Sequence, residues 1–217
     1  MRKGDTILFD APPVILAQGA VGGKKEGEGP MAAQFDLLFP ENSLGEPTWE
    51  QAESRLQQHC LELTLQKARL PLGRLSLVLG GDLQNQCTAT AYHMSRTDVP
   101  FAGLYGACST MAEALGLAAC LAAGGCVEVA AALASSHFCA AERQFRTPLS
   151  YGGKRTPTAQ WTATAAGCCL VAARGAGPRV ASVTFGRVRD YAVTDLTNMG
   201  GAMAPDDVQL TQYILNL

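Results

Sequence analysis

Cys108 is the residue of this sequence that is best placed for nucleophilic chemistry. The apolar residues 101–106 before it are typical of a buried strand, and the nearly uncharged residues after it, up to 124, are typical of a buried helix. A thiol at the first turn of a helix lies among backbone N–H groups that lack intrahelical partners, and the helix dipole there favours the thiolate. The pattern therefore predicts a nucleophile elbow at Cys108. A structural cysteine, buried as a small hydrophobic residue, is the equally weighted alternative.

The elements that must position Cys108 are three apolar strands that alternate with helices. Strands are expected at 75–80, 101–106 and 126–134, and helices at 49–70, at 87–96 and from 108 onward. Thr48 and Gln51 form a capping-box signature at the start of the first helix. Each strand ends in a polar or glycine-rich turn, as in a parallel α/β layer, so the turns are expected to meet at one edge of the sheet.

Polar side chains follow two of these strands. Asp82 and Asn85 come after the first strand, where they are suited to orienting a polar ligand, although a Gly-Asp turn often has only a structural role. Ser136 and His137 come after the third strand. His137 is a candidate general base or hydrogen-bond donor near Cys108, and a satisfied structural histidine is the alternative.

Residues 138–160 are polar and too long for a simple connection, which indicates either a functional excursion or a flexible insertion. Arg143 and Arg146 lie in this stretch, and guanidinium groups suit bidentate binding of carboxylates. Residues 161–173 and 180–191 are expected to form an antiparallel pair of strands beside the parallel ones.

The beginning of the chain carries weaker signals. Residues 6–9 and 14–17 are expected as short strands, either joined as a hairpin or as two separate edge elements. The glycine-rich residues 19–30, which also carry charged side chains, predict an exposed flexible loop.

Composition excludes several classes of function. The 217 residues are 47% hydrophobic and only 17% charged, with a formal net charge of −2, so no global field attracts nucleic acid or an anionic membrane. The eight cysteines lack metal-binding spacing and favour reduced, buried thiols in the cytoplasm. No signal peptide and no apolar run long enough to span a bilayer are expected. No motif for a nucleotide, flavin or catalytic metal is present, so no cofactor is implied.

Several stretches together resemble a known family. Residues 106–115 resemble the active-cysteine turn of the thiolase superfamily. Seven further stretches resemble one family within it, the stage V sporulation protein AD family of spore-forming bacteria. These stretches are 27–30, 81–86, 135–137, 141–146, 151–153, 198–200 and 202–205. The resemblance covers the chain from about residue 9 to residue 205. It implies the N-terminal half of a thiolase-like fold, a layered α/β/α arrangement with a mixed sheet.

The same resemblance implies a domain organisation and a site. Residues 1–205 are expected to form the first thiolase-like half, with the second half missing and residues 206–217 as a divergent or truncated tail. In the enzymes of the superfamily, the second half supplies the histidine that works with the nucleophile. Half of such a fold should expose an apolar surface, so self-association, for example as a homodimer, is expected. Asn198 joins the expected ligand-binding set in this family context, with Asp82, Asn85, Cys108, Ser136, His137, Arg143 and Arg146.

Two functions follow from the resemblance. In the first, the protein is non-catalytic and binds dipicolinic acid (pyridine-2,6-dicarboxylic acid), as its calcium salt, and supports its uptake into the developing spore. Its partners are then membrane proteins of the same sporulation operon, and its location is the cytoplasm or, through those partners, the spore inner membrane. In the second, the protein is an acyltransferase or condensing enzyme that uses Cys108 as a nucleophile.

Overall fold

The structure is a computed structural model that describes residues 1–85, 87–145, 162–187, 189–192 and 194, with the backbone alone for 143–145. The strands are β1 (Arg2–Lys3), β2 (Thr6–Leu8), β3 (Val14–Gly22), β4 (Leu37–Leu38), β5 (Leu77–Gly81), β6 (Phe101–Gly103), β7 (Val129–Ser136), β8 (Ala165–Ala172) and β9 (Ser182–Thr184). The α-helices are α1 (Lys24–Gly27), α2 (Trp49–Ala68), α3 (Thr88–Met94), α4 (Thr110–Ala123) and α5 (Phe138–Phe145). Two compact units result, Ala11–Val180 and a smaller one that joins Met1–Asp10 to residues from Ala181 onward.

The larger unit is built on a six-stranded mixed sheet with the order β4-β3-β8-β7-β5-β6. β7, β5 and β6 are parallel, as the sequence predicts, and β8 is antiparallel to both β3 and β7. β3, β5, β6 and β7 therefore point the same way and end at one edge of the sheet. We call the residues that follow these four ends, 23–26, 82–85, 104–109 and 137, the carboxyl rim.

Helix α2 covers one face of this sheet. Its start at Trp49 is fixed by the Thr48 hydroxyl, which accepts a hydrogen bond of 3.2 Å from the Gln51 N–H, so the predicted N-cap is confirmed. Its end is marked by Arg69 in a left-handed conformation (φ 54°), two residues before Pro71. The buried stripe of α2 packs on β3, β7 and β8 through apolar side chains, namely Ala52, Leu56, Cys60, Leu61 and Leu65.

Helix α4 packs on β5, β7 and β8, and the alternation along β7 shows that it lies on the other face. Val129, Ala131 and Leu133 belong to the hydrophobic cluster that contains Leu56 of α2. Ala130 and Ala132, which point the opposite way, are also fully buried. Small side chains on both β7 and α4 permit a close approach, and β7 is covered on both faces like a central strand.

The predicted loop at 19–30 is wrong, because β3 continues to Gly22 and α1 follows at Lys24. β3 is also neither an edge strand nor part of a hairpin, since it lies between β4 and β8. Its glycines serve packing. A Cβ on Gly19 would overlap the Thr64 hydroxyl of α2, so glycine here allows the helix to sit against the strand.

The predicted antiparallel pair of 161–173 with 180–191 is also wrong. β8 lies between β3 and β7 in the large sheet, whereas β9 belongs to the smaller unit, where it pairs with β2 in the order β1-β2-β9. The hydroxyls of Thr6 and Thr184 are 2.8 Å apart across that pair. Both strands exist near their predicted positions, but β8 pairs with β3 and β7, and β9 pairs with β2.

Candidate functional site

Cys108 lies in the turn between β6 and α4, and its side chain is exposed. β6 ends at Gly103, so the strand is shorter than predicted, and it is a half-buried edge strand rather than a buried one. A 3-10 turn, Ala107–Ser109, then leads into α4 at Thr110, so Cys108 lies at the predicted strand-helix junction, but α4 begins two residues later than predicted. Ala107 has a left-handed backbone (φ 48°), which is uncommon for a residue with a side chain and tightens this turn.

The next rim residue, Asp82, is almost completely buried, with 1% exposure. Its Oδ1 accepts the N–H of Gln84 at 2.9 Å, and its Oδ2 accepts both the N–H and the hydroxyl of Thr90, at 2.8 and 2.6 Å. These bonds tie the turn after β5 to the first turns of α3. Asn85 lies in the same turn, and its carbonyl accepts the hydroxyl of Thr88 at 2.7 Å. Within the described contacts, Asp82 therefore holds the turn that presents Asn85.

Two residues of α2 that sequence reasoning missed, Glu53 and Gln57, complete a buried polar network with Asp82. Glu53 accepts hydrogen bonds from the Ser135 hydroxyl at 2.7 Å and from the Gln84 side-chain amide at 2.6 Å. Gln57 donates from Nε2 to Ser135 at 2.7 Å and to Thr90 at 2.8 Å. We call this closed ring of six residues the carboxylate ring; it consists of Glu53, Gln57, Asp82, Gln84, Thr90 and Ser135.

The electrostatics of the carboxylate ring are unusual, because Glu53 is fully buried beside a second carboxylate. Burial raises the pKa of Glu53 to about 7, and the charge of Asp82 adds to that effect, while the hydrogen bonds from Ser135 and Gln84 oppose it. Burial also raises the pKa of Asp82, against the hydrogen bonds it receives.

The predicted site serine, Ser136, lies outside the carboxylate ring, and its hydroxyl donates to the carbonyl of Ala163 at 2.7 Å.

His137, the rim residue that follows β7, is fully buried. Its Nε2 donates to the carbonyl of Asn42 at 2.8 Å, and its ring stacks on Trp49 with centroids 5.3 Å apart. Burial lowers the pKa of His137, which favours the neutral imidazole. In the part of the chain that the structure describes, His137 makes no hydrogen bond to Cys108. The two residues therefore do not form a nucleophile and base pair here.

The side chains of three predicted site residues, Arg143, Arg146 and Asn198, lie outside the described part of the structure. Arg143 belongs to α5, of which only the backbone is described at that position. Arg146 and Asn198, together with the stretches 151–153 and 198–205, lie outside the described residues. Their predicted role in ligand binding stays a prediction.

Metal-binding clusters and membrane-spanning helices are both absent from the described residues. These residues include no cluster of three or more His, Cys, Asp or Glu side chains able to hold a metal ion. All eight cysteines fall within the described ranges, and each is a free thiol. No helix in those ranges combines the length and the apolar character needed to cross a membrane.

The fold places the chain in the thiolase-like class. It is similar to the structure of 3-oxoacyl-[acyl-carrier-protein] synthase III from Aquifex aeolicus, with a TM-score of 0.50 and 12% identity, over 74% of this chain and 53% of that one. It is also similar to OleA from Xanthomonas campestris, with a TM-score of 0.50 and 11% identity, over 76% of this chain and 57% of that one. At such identities the likeness concerns the fold alone.

Sequence comparison then identifies the family. The model of the stage V sporulation protein AD (SpoVAD) family matches residues 3–216. The chain is 37% identical over 200 residues to the stage V sporulation protein AD of Bacillus subtilis (strain 168), covering 92% of this chain and 59% of that relative. The chain therefore belongs to the stage V sporulation protein AD family, and it spans about three fifths of the length of this relative.

Proposed function

We propose that this sporulation protein binds dipicolinic acid, as its calcium salt, at the carboxyl rim and supports its uptake into the developing spore. The observation that carries the proposal is membership of the stage V sporulation protein AD family, combined with the exposed turn at Cys108. Membrane proteins of the same sporulation operon are the proposed partners, and association with the spore inner membrane occurs through them.

The geometry around Cys108 supports a binding role over covalent catalysis. A thiol nucleophile is often activated by a base within hydrogen-bond reach, and among the described residues the predicted base, His137, is enclosed by Asn42 and Trp49 instead. Cys108 is then part of the wall of the binding site. Arg143 and Arg146 are the proposed contacts to the ligand carboxylates, since guanidinium groups bind carboxylates in a bidentate manner.

Calorimetric titration of the 217-residue chain with dipicolinate, with and without calcium, tests the binding role. Binding is expected for the wild type, and Arg143→Ala or Arg146→Ala is expected to weaken it by roughly 10- to 150-fold, the loss of one charge-assisted hydrogen bond. Cys108→Ala should have a smaller effect. Cys126→Ala is the matched control, because Cys126 is equally exposed but precedes β7 at the opposite edge of the sheet. Wild-type protein that fails to bind dipicolinate in both conditions would contradict the proposal.

The alternative, acyl transfer through Cys108, is supported by its position in an exposed strand-turn-helix junction. Incubation with acyl-CoA or acyl-carrier donors, followed by mass spectrometry, separates the two functions. No adduct is expected. A stoichiometric thioester on Cys108 that is absent from Cys108→Ala and turns over would establish the acyltransferase instead.

A further inference from the structure

The carboxylate ring joins four elements and shares Asp82 and Gln84 with the carboxyl rim. Glu53 and Gln57 come from α2, Thr90 from α3 and Ser135 from the end of β7, while Asp82 and Gln84 belong to the turn after β5. Glu53, Gln57 and Thr90 are fully buried, and Asp82 is 1% exposed. Two carboxylates therefore lie inside the protein, and burial of an uncompensated charge is strongly unfavourable.

Charged and titratable groups on the surrounding elements do not supply a compensating cation within the described residues. The charge that acts on Glu53 is that of Asp82, which has the same sign. Burial lowers the pKa of His93 on α3 to about 4, so this residue is neutral, and its neighbouring charges are those of Glu62 and Arg96. The other titratable groups on elements packed against α2 are Tyr92 of α3, Cys168 and Cys169 of β8, Cys139 and Glu142 of α5, and Arg143 of α5, whose side chain lies outside the described part of the chain. His137, beside Glu26, precedes α5 and is neutral because burial lowers its pKa.

The hydrogen bonds of the ring show which carboxylate has room for a proton. Each carboxylate oxygen of Asp82 accepts a fixed backbone N–H, from Gln84 on Oδ1 and from Thr90 on Oδ2, so a proton on either oxygen would lie beside a hydrogen that cannot turn away. Glu53 Oε2 faces the Gln84 amide, which can only donate from that nitrogen. Glu53 Oε1 faces the Ser135 hydroxyl, which accepts as readily as it donates.

One buried acceptor of the ring, Gln57 Oε1, has no hydrogen-bond donor among the described residues. Gln57 is fully buried, and both of its amide hydrogens are used toward Thr90 and Ser135, yet its Oε1 has no donor among the described residues. The ring thus contains an unpaired buried acceptor in addition to two buried carboxylates. One additional proton removes one of the two buried charges.

We propose that Glu53 keeps its proton, on Oε1, at pH values below neutral, and that this proton is part of the network that positions the turn 82–85 at the carboxyl rim. Ser135 then accepts from both Glu53 and Gln57, with its own hydroxyl hydrogen rotated away from Glu53, and Asp82 remains the single anion of the ring. Glu53 is in this sense a positioning residue, because it acts on the rim through Gln84 and Ser135. This assignment depends only on the ring and holds whichever ligand the rim binds.

The proposal predicts a pH dependence with a definite sign. Because burial raises the pKa of Glu53 from 4.5 to about 7, the folded protein holds this proton more tightly than the unfolded chain. Its contribution to stability is fully present below about pH 4.5 and is lost as the pH rises through about 7. The raised pKa of Asp82 acts in the same direction.

Glu53→Gln is the informative variant. A glutamine can donate from its amide to Ser135 and accept the Gln84 amide through its oxygen, so it reproduces the protonated Glu53 at every pH. Thermal unfolding between about pH 5 and pH 8 should give matching midpoints for the two proteins at pH 5, and a lower midpoint for the wild type at pH 8. Asp82→Asn is the matched control, since its amide would face fixed donors, and it should lower the midpoint at all these pH values.

Infrared spectroscopy of the wild type provides a second measurement, which is made on the folded protein. Near pH 6, where ordinary carboxyls are ionised, the carbonyl band of one protonated carboxylic acid is expected, and it should be absent from Glu53→Gln. Parallel stability curves for the wild type and Glu53→Gln, or a wild-type spectrum without that band, would overturn the proposal.

Discussion

Cys108 and His137 follow the ends of β6 and β7, which have β5 between them, and lie in opposite environments. The thiol of Cys108 faces solvent, whereas the imidazole of His137 is enclosed between Asn42 and Trp49. Solvent access decides which side chains of the rim can meet a ligand directly. Cys108 is in that group, whereas the buried rim residues His137 and Asp82 hold the rim in place through their hydrogen bonds.

Thiol accessibility can be measured directly. Alkylation of the native protein with iodoacetamide should label Cys108 and Cys126, which are exposed, well before Cys60. Burial raises the pKa of Cys60 to about 12, so its reactive thiolate is scarce as well as inaccessible. Peptide mapping by mass spectrometry measures the order of labelling. Labelling of Cys60 as early as Cys126 would contradict the described burial.

The adjacent serines Ser135 and Ser136 offer a matched comparison. Ser135→Ala removes the hydroxyl that is hydrogen-bonded to both Glu53 and Gln57, and leaves buried polar groups unpaired, so a loss of about 1 to 3 kcal/mol in the free energy of unfolding is expected. Ser136→Ala removes one bond to a carbonyl and should have the smaller effect. Urea unfolding measures both. Equal effects of the two substitutions would argue against the carboxylate ring.

At the scale of elements, α2 organises the larger unit. One face of this helix supplies Leu56 and Cys60 to the core, and the same helix supplies Glu53 and Gln57 to the carboxylate ring. The helix thereby links the packing of the sheet to the position of the rim turns. Close contact between α2 and β3 is a condition of that link.

Two glycines on paired strands test the contact between α2 and β3. Gly19→Ala should lower the free energy of unfolding by about 1 to 3 kcal/mol, because the new Cβ would overlap the Thr64 hydroxyl. Gly167→Ala is the control: it lies on β8, where an added Cβ meets no atom within 4 Å. Denaturant unfolding should show the control within experimental error of the wild type or slightly above it. A Gly19→Ala protein as stable as the control would contradict the close packing.

Local patterns allowed the sequence to predict α2, α3, α4 and the strands β5 and β7 to within a few residues, since periodicity and capping are properties of neighbouring residues. The partners of β8 and β9 were predicted wrongly, because strand pairing depends on contacts between distant parts of the chain. Glu53 and Gln57 were missed for a related reason. Two polar residues four positions apart on a helix are typical of its solvent face, and only the fold shows that they meet Asp82 and Ser135.

At the scale of the whole molecule, the net charge of −2 does not favour a dianion such as dipicolinate. The proposed binding therefore requires local positive groups, namely Arg143 and Arg146 or the calcium that accompanies the ligand. Binding through such local groups implies that the ligand should perturb one edge of the sheet and leave the other unchanged.

The most direct test of the proposed rim site is a titration of isotopically labelled protein with dipicolinate and calcium, followed by the backbone amide resonances in NMR spectra. The expected result is a set of shifted resonances within the carboxyl rim, at 82–85 and 104–109, with unchanged resonances at 126–128, before β7 at the opposite edge. Shifts that cluster at 126–128, or saturating ligand that leaves the rim resonances unmoved, would contradict the proposal that this rim binds dipicolinate.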